Sequence, residues 1–448
     1  MTYKNRNNNK KSRKNVRKSK NRKSRKNGKG GKVVASGGFG CVFRPSLKCK
    51  NNDKHSDSHK QNNDETNYIT KLMKKKHADS EYNEIAKFKS ILNHIPNYKD
   101  YFLVDGFYLC DPAPLTQEDL KNYKEKCRTL QKDDIKEDNI NESLDKVSAL
   151  NMPDGGMDVG DFIEEHKNNN NNMEKFILLN NSLIQLLLKG IVPMNKSHIY
   201  HCDIKESNVL VKKEGSKLYT RLIDWGLSCE YKQSQSIPKS LSRRPFQYNV
   251  PYSIILFNNE FITRYNKFLK KNKDVEISYS LVREFVINFI LVWVKIRGPG
   301  HLKVINSQMK KLFINQIPVL DEKSKESFIE YEFTYHYIIE YITKVLTKYT
   351  KNHTIHLKKY FNEVFIKNID IWGFIMIYIP FISFLYDKYD TLNYNEKKLF
   401  YKIKHIIVRF LIETPCDPIN ISDLTKELKQ LNALFTESDS ISDSMSIY

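Results

Sequence analysis

The chain has 448 residues and is 40% hydrophobic, which excludes a wholly disordered protein and is enough for two or more core-forming units. Its formal net charge is +22, and most of this charge lies at one end. Of the 74 Lys and Arg residues, 15 lie in residues 1–32, which contain no acid, and the remaining 59 are set against 52 Asp and Glu. This distribution excludes a protein that is strongly basic throughout.

Residues 1–32 form a basic N-terminal segment without an apolar core of its own. We expect it to be disordered and to attract nucleic acid, an acidic protein or an anionic membrane surface. The alternative is a solubilising or targeting arm, because a basic run also serves as a nuclear address. No signal-peptide pattern is present, and the longest uncharged run, 371–386, is too short to span a bilayer. We expect that run to be a buried helix and the protein to have no membrane span.

The seven cysteines are scattered along the chain without paired spacing; they are at positions 41, 49, 110, 127, 202, 229 and 416. Cys49 with His55 and His59 could ligate zinc, but so polar a stretch favours a solvated loop. The scattered spacing predicts free thiols in a reducing compartment. We therefore expect the protein to act inside a cell, in the cytoplasm or the nucleus.

The first predicted elements are two strands joined by a glycine turn, within residues 33–43. Gly37, Gly38 and Gly40 would let backbone amides approach a phosphate group closely, which a Cβ would prevent. By itself a glycine cluster is weak evidence, since a hairpin turn has the same composition.

A polar insertion and then a strand and a helix follow. No residue from 50 to 67 is apolar, which predicts an inserted loop near 45–67. The strand at 68–73 carries Lys71. The helix at 79–92 has helical apolar spacing and offers Glu81 and Glu84 one turn apart.

The next stretch alternates strands with polar segments. We expect a strand at 101–109, a second polar insertion at 111–145 with a helix near 117–130, and a strand at 147–152. A long helix that is buried on most sides follows the asparagine run at 168–172, because apolar side chains occupy most of its faces.

The most informative stretch is 199–226. Residues 209–211 and 218–223 predict two strands joined by a turn, which brings Asp203 and Asp224 to the same edge. One carboxylate can hold a hydroxyl nucleophile, a second carboxylate and an amide can hold a divalent cation, and a lysine can neutralise a phosphoryl oxygen. The residue types therefore indicate phosphoryl transfer.

The segment from His201 to Asn208, followed by Asp224-Trp-Gly226, resembles the catalytic loop and the metal-binding triplet of eukaryotic-type protein kinases. The resemblance implies ATP and Mg²⁺, with Asp203 and Lys205 as catalytic residues and Asn208 and Asp224 as magnesium ligands. It also implies an α+β, bilobal fold with a small β-rich N-terminal lobe and a large helical C-terminal lobe.

The strands at 33–43 resemble the kinase glycine-rich loop, with Ala35 in place of its first glycine. Lys71 resembles the lysine that bridges the nucleotide phosphates and a helix glutamate. We favour Glu84 as this glutamate, on the register of the following strand, and Glu81 is the alternative. The nucleotide-binding residues implied by the resemblance are Val34, Ala35, Gly37, Gly38, Gly40, Val42, Lys71 and Glu84.

Asp370-Ile-Trp372 resembles the start of the central helix of the large lobe, whose aspartate holds the backbone of the catalytic loop. Between this motif and the catalytic region lies a helical insertion. The implied parts are a disordered tail (1–32), an N-lobe (33–152), the first part of the C-lobe (153–255), the insertion (256–360), the second part of the C-lobe (361–435) and an acidic serine-rich tail (436–448).

Lys205 lies two residues after Asp203, a pattern similar to that of serine/threonine kinases. The composition and the inserted helices resemble kinases of large DNA viruses, which implies a protein substrate, a host cell and possible packaging in a virion. Two alternatives stay open: a catalytically weak scaffold that binds nucleic acid through residues 1–32, and a small-molecule phosphotransferase. Neither the substrate nor the oligomeric state is indicated.

The segment after Gly226 contains five serines but lacks two features of kinases that are switched on by phosphorylation there. Cys202 stands where such relatives have an arginine that receives the phosphate, although Arg243 and Arg244 could capture a phosphate locally. Val250-Pro251-Tyr252 stands where the family has Ala-Pro-Glu. We therefore expect activity without phosphorylation of this segment, with the inserted helices supplying the missing support.

Overall fold

The computed structural model describes residues 32–36, 39–50, 67–167 and 172–439. The predictions for nearly all of the basic N-terminal segment, for Gly37 and Gly38, for most of the loop at 45–67 and for most of the acidic tail lie outside these residues. The first four residues of the predicted tail, 436–439, are the end of a helix. In chain order the strands are β1 (Lys32–Ser36), β2 (Gly40–Arg44), β3 (Tyr68–Lys74), β4 (Tyr108–Cys110), β5 (Val147–Pro153), β6 (Met157–Asp158), β7 (Ile199–Tyr200), β8 (Val209–Glu214), β9 (Lys217–Leu222), β10 (Cys229–Glu230), β11 (Thr350–Lys351) and β12 (Thr354–Ile355).

Seventeen α-helices are described in these ranges: α1 (Lys75–Leu92), α2 (Tyr123–Lys126), α3 (Arg128–Lys132), α4 (Val159–His166), α5 (Asn172–Gln185), α6 (Val192–Lys196), α7 (Lys239–Ser242), α8 (Asn259–Lys271), α9 (Tyr279–Arg297), α10 (Leu302–Leu312), α11 (Glu322–Phe328), α12 (His336–Tyr349), α13 (Leu357–Tyr360), α14 (Ile366–Met376), α15 (Ile379–Tyr386), α16 (Tyr394–Ile407) and α17 (Ile421–Asp439). A π-helical stretch, Leu186–Ile191, joins α5 to α6. The predicted long helix therefore continues through both.

Five antiparallel strands form one sheet in the order β1-β2-β3-β5-β4. α1 begins directly after β3, without a connecting loop. Its buried side chains, Ala78, Ile85, Phe88 and Leu92, face the protein core. The last three lie in the helix predicted at 79–92, and α1 begins four residues before the predicted start.

Residues 111–145 cover the β1–β2 end of this sheet with a second apolar cluster, to which Tyr123, Leu130 and Phe43 belong. The single helix predicted near 117–130 is wrong. Residues 117–122 form turns, Asn122 has a left-handed φ of 65°, and two short helices follow. A left-handed residue cannot continue a right-handed helix, which explains the interruption.

Two disulfides, Cys41–Cys127 and Cys49–Cys110, crosslink this part of the protein. The prediction that the cysteines are free thiols is therefore wrong for four of the seven. Sequence spacing could not find these pairs, because each joins segments that only the fold brings together. The pairing also removes the basis on which a reducing compartment was inferred.

The remaining described residues are mainly helical, with a small antiparallel sheet in the order β6-β8-β9. The hairpin β8–β9 matches the strand, turn and strand predicted at 209–223. In the helical core the ring of Phe176 on α5 packs against the rings of Phe381 on α15 and Phe435 on α17, at centroid distances of 5.3 and 6.0 Å.

Two helical stretches, Met173–Lys196 and Leu357–Tyr386, are long and apolar enough to cross a membrane. In the most apolar part of each, 50% and 83% of the residues are buried inside the protein. This burial is typical of core helices, and the run at 371–386 is divided between α14 and α15 by a turn before Pro380.

The segment between the catalytic region and α14 contains α8 to α13. α9 packs against α12, and aromatic side chains join α8 to α9: the ring of Phe261 lies 5.2 Å from that of Phe289. Gly298, Pro299, Gly300 and His301 connect α9 to α10.

Candidate active site

Hydrogen bonds to α14 hold the backbone of the catalytic loop, His201 to Asn208, in place. Asp370 is fully buried, and its two carboxylate oxygens accept hydrogen bonds from the backbone N–H groups of His201 (2.9 Å) and Cys202 (2.7 Å). Cys202 has a left-handed φ of 60°, a conformation that costs a non-glycine residue about 1–3 kcal/mol and persists only where contacts enforce it. Gly373, one turn along α14, lets the helix approach the carbonyl of Ile204, which a Cβ would meet at 2.4 Å.

Asp203 is buried and accepts hydrogen bonds from three side chains. Nζ of Lys205 lies 2.9 Å and Nδ2 of Asn208 lies 3.1 Å from its Oδ2, while Nδ2 of Asn249 lies 2.8 Å from its Oδ1. Burial raises the pKa of Asp203, but the charge of Lys205 and the hydrogen bonds from Lys205 and Asn249 outweigh it, so the pKa lies below its ordinary value. Asp203 is therefore an ionised carboxylate at neutral pH.

The β8–β9 hairpin brings Asp224 back to this loop. The backbone N–H of Ile223 donates to the carbonyl of Asn208 at 3.0 Å, and Nε2 of His201 donates to the carbonyl of Ile223 at 2.9 Å. Asp224 follows with a left-handed φ of 65° and an exposed side chain. Among the described residues no donor forms a hydrogen bond to its carboxylate.

Trp225, unlike the exposed Asp224 before it, is buried. Its ring lies 5.0 Å from that of His201, 5.6 Å from that of Phe88 on α1 and 5.8 Å from that of Phe102. This packing connects the catalytic loop with the helix that follows β3.

Lys71 forms an ion pair with Glu81, whose two carboxylate oxygens both lie 2.7 Å from Nζ of the lysine. The preference for Glu84 is therefore corrected. Because α1 starts at Lys75, directly after β3, its second turn lies over Lys71, and Glu84 lies one turn too far. Burial, followed by the charges of Glu81 and Asp224, raises the pKa of Glu84.

The described part of the predicted glycine loop consists of β1 and β2, and β2 lies between β1 and β3 in the sheet. Gly40 is buried, and a Cβ there would lie 2.1 Å from the carbonyl oxygen of Leu72, so only glycine fits. Val42 pairs with Ala35 on one side and with Lys71 on the other. Val34 is half-buried, and Nζ of Lys126 on α2 donates to its carbonyl.

Sequence reasoning missed the residues of 244–249 that contact the catalytic loop. Besides the Asn249 contact, Nη1 of the buried Arg244 donates to the carbonyl of Cys202, and the hydroxyl of Tyr248 donates to the carboxylate of Glu206 at 3.0 Å. Nε1 of Trp372 on α14 donates to the carbonyl of Tyr248 at 2.9 Å. Among these residues only Trp372 could have been found from the sequence, through its place in the Asp370-Ile-Trp372 motif. The other contacts join segments about 42 residues apart, and no local pattern marks them.

A family model described as a protein kinase domain matches residues 152–255, which contain Asp203, Lys205, Asn208 and Asp224. The chain is protein-kinase-like. A search of the curated proteins finds no match to it. The family match supports a kinase-like phosphotransferase, and the mixture of helices and small sheets is compatible with the predicted α+β class.

Proposed function

We propose that this protein is an ATP-dependent protein kinase that transfers the γ-phosphate to serine or threonine hydroxyls of protein substrates. The observation that supports this best is the arrangement around Asp203, with Lys205 on one carboxylate oxygen and Asn249 on the other. The kinase-domain match over the same residues gives independent support. The two-lobed arrangement, with the five-stranded sheet in the small lobe, is part of the proposal.

In this mechanism the acceptor hydroxyl oxygen attacks the γ-phosphorus of ATP, its proton passes to Asp203, and ADP leaves. The lowered pKa of Asp203 keeps it ionised until the hydroxyl binds. Lys205, beside Asp203, neutralises the charge of the transferred phosphoryl group. The ion pair with Glu81 holds Lys71 where it can bind the nucleotide phosphates.

The residues present fit Mg²⁺. Asn208 and Asp224 offer the amide and carboxylate oxygens that this ion prefers, and magnesium in such sites takes only one or two protein ligands besides phosphate oxygens and water. The Asp224 carboxylate accepts no hydrogen bond from the described residues, so it is available as a ligand. No group of three or more His, Cys, Asp or Glu that could hold a metal occurs in the described part of the chain. Bound Mg²⁺ would supply charge neutralisation on the phosphate oxygens.

Radiolabelled ATP with a mixture of protein substrates tests the proposal. We expect label on serine and threonine after hydrolysis of the product, and a loss of about 10²–10⁴-fold in Asp203→Asn, the range for removal of a general base. Asp390→Asn, the same change at an exposed aspartate, is the matched control. Label on tyrosine, or on small alcohols alone, would contradict the assignment, and a fully active Asp203→Asn would contradict the mechanism.

A viral origin, action inside a host cell and packaging in a virion are also proposals, which rest on composition and on the family resemblance. The division into parts from 1–32 to 436–448 stays a proposal as well. Polyanion binding by residues 1–32 rests on their charge alone.

A further inference from the structure

The connection between α9 and α10 reaches out of the inserted helices to the catalytic region. We call Pro299, Gly300 and His301 the docking loop. The backbone N–H of His301 donates to the carbonyl of Phe246 at 2.9 Å. Gly300 has a left-handed φ of 54°, and a Cβ there would lie 2.5 Å from that same carbonyl oxygen. The docking loop thus contacts the Phe246 backbone too closely for any residue but glycine at position 300.

The side chain of His301 contacts the same segment, at Tyr248. Its ring packs against the ring of Tyr248 with centroids 5.5 Å apart, and the Tyr248 hydroxyl donates to Glu206 in the catalytic loop. Tyr248 is buried, so its ring has few other positions available. Asn249, the next residue, donates to Asp203.

His301 lies within electrostatic reach of Lys205 and Asp203. Burial lowers the pKa of His301, and the positive charge of Lys205 lowers it further, while the charge of Asp203 acts in the opposite direction. Both of these charges belong to the proposed phosphoryl-transfer residues. Nδ1 of His301 is buried and has no hydrogen-bond partner among the described residues.

We infer that the docking loop forms a wall of the acceptor site and that His301 is a positioning residue for phosphoryl transfer. It holds residues 246–249 in place through the Phe246 carbonyl and the Tyr248 ring, and Asn249 of this stretch orients the carboxylate of Asp203. The inference rests on the proposed kinase function. It gives the inserted helices a role in transfer itself.

Two glycine variants provide a matched test. Ala at position 300 adds backbone strain and a clash with Phe246, whereas Ala at Gly298, where φ is 79° and nothing lies within 4 Å of a Cβ, adds strain alone. We expect Gly300→Ala to lower kcat by about tenfold to a hundredfold, the loss that misplacement by about 1 Å can cause, with an unchanged KM for ATP. Gly298→Ala should keep the parent kcat.

Substitutions of His301 test the contribution of its ring separately, which keeps the inference testable if Gly300→Ala does not fold. His301→Ala should lower kcat at least about tenfold, again without a change in the KM for ATP, because misplaced reacting groups slow transfer rather than nucleotide binding. His301→Phe keeps the ring that packs on Tyr248 and should restore the rate to within about threefold of the parent. Equal loss in both variants would contradict a role for ring packing.

Hydrogen exchange gives a readout that does not depend on activity. In Gly300→Ala the amides of residues 246–249 should exchange faster than in Gly298→Ala, while those of α14 stay protected. If the parent neither binds ATP nor transfers phosphate, the proposed function fails, and the exchange comparison still decides whether the docking loop holds 246–249. If the parent is active and the two glycine variants agree in kcat and in exchange, the inference is wrong.

Discussion

The side-chain amide of Asn249 donates a hydrogen bond of 2.8 Å to Oδ1 of Asp203, which lies 46 residues earlier in the chain. The other carboxylate oxygen, Oδ2, accepts from Lys205 within the catalytic loop. The two oxygens of Asp203 are thus held by different segments. Its orientation therefore depends on the position of residues 246–249 as well as on the catalytic loop.

Asn249→Ala should lower kcat about tenfold or more, because a carboxylate that is held only at Oδ2 is less often aligned with the acceptor hydroxyl. It should also move the pH dependence. The pKa of Asp203 is lowered, so the ionised base is present above that pKa and is lost as the pH falls through it. Removing a donor that stabilises the ionised form raises this pKa, and the acid limb of the kcat profile should shift to higher pH.

Asn180 provides the control for Asn249. It is equally buried and donates to the carbonyl of Leu428, far along the chain and outside the catalytic loop. Asn180→Ala should lower the melting temperature without moving the acid limb. An acid limb that stays in place in Asn249→Ala would contradict the assigned contact.

The roles of Glu81 and Glu84, which lie one helical turn apart, can be distinguished by making the same Glu→Gln substitution at each. Glu81→Gln removes the partner of Lys71, both side chains being only 12–13% exposed, and should lower kcat/KM for ATP by about tenfold or more. Glu84→Gln should leave kcat/KM for ATP near the parent value. A larger loss from Glu84→Gln would restore the assignment made from the sequence.

The raised pKa of Glu84 predicts the direction in which the stability of the protein changes with pH. Its pKa is raised by burial and by the charges of Glu81 and Asp224. A carboxyl group with a raised folded-state pKa stabilises the protein below its unfolded pKa, and this contribution is lost as the pH rises through the folded pKa. Glu84→Gln should therefore melt at a higher temperature than the parent at pH 7, and the difference should disappear in acid.

The sequence predicted the parts of this site that depend on short-range order. The β8–β9 hairpin, from which Asp203 and Asp224 are expected at the same edge, follows from strand and turn patterns within 30 residues. It also predicted that Asp370 holds the catalytic loop, but only through the family resemblance.

The parts that the sequence could not predict depend on contacts between distant segments. Asn249 and His301 carry no local pattern, and their partners are known only once the helices have packed. The choice between Glu81 and Glu84 needed the length of the β3–α1 connection, since α1 begins at Lys75 with no loop before it. The disulfides were missed for the same reason, because their cysteines are 86 and 61 residues apart.

The disulfide between Cys41 and Cys127 should stabilise the sheet that carries the predicted nucleotide loop. Replacing both residues by Ser should lower the free energy of unfolding by about 2–4 kcal/mol, because the crosslink closes a long loop in the unfolded chain. ATP affinity should also fall, since Cys41 follows Gly40 in β2. Differential scanning calorimetry with and without reductant measures the first effect.

Cys416 provides the control for this disulfide. It is a free cysteine, and burial raises its pKa to about 11, so it should react little with thiol reagents. Cys416→Ser should keep the sensitivity of the parent to reductant. A double Cys41/Cys127 variant whose melting temperature still falls with reductant by the same amount as the parent would contradict the pairing.

Deletion of residues 1–31 should abolish most binding to DNA or RNA. The charge of this segment predicts binding with little sequence preference and a steep loss of affinity with salt. Replacing its Lys and Arg by Gln keeps the length and should have the same effect as the deletion. Binding to two unrelated duplexes over a salt series measures this, and unchanged affinity after deletion would place the site on the remaining chain.

The last prediction concerns Ser228, Ser234, Ser236, Ser240 and Ser242. Replacing all five by Ala should leave the transfer rate within a few-fold of the parent. Arg244 is buried, and its Nη1 donates to the carbonyl of Cys202, while its Nε and Nη2 have no hydrogen-bond partner among the described residues. A phosphoserine would have to enter the protein interior to reach these nitrogens. The exposed Arg243 would pair with a phosphate only locally, without the contact to the catalytic loop by which phosphorylation orders such segments.

The segment is held by other contacts where the Ala-Pro-Glu motif is absent. The rings of Tyr252, Tyr341 on α12 and Trp372 on α14 contact one another, with centroids 5.1–5.8 Å apart. One of these rings comes from the inserted helices, so the support that an ion pair would give is supplied by aromatic packing, which needs no modification. Tyr341→Ala should therefore lower the rate far more than the five-serine variant. A loss of a hundredfold or more in the five-serine variant, with the Tyr341→Ala rate near that of the parent, would show that phosphorylation holds the segment.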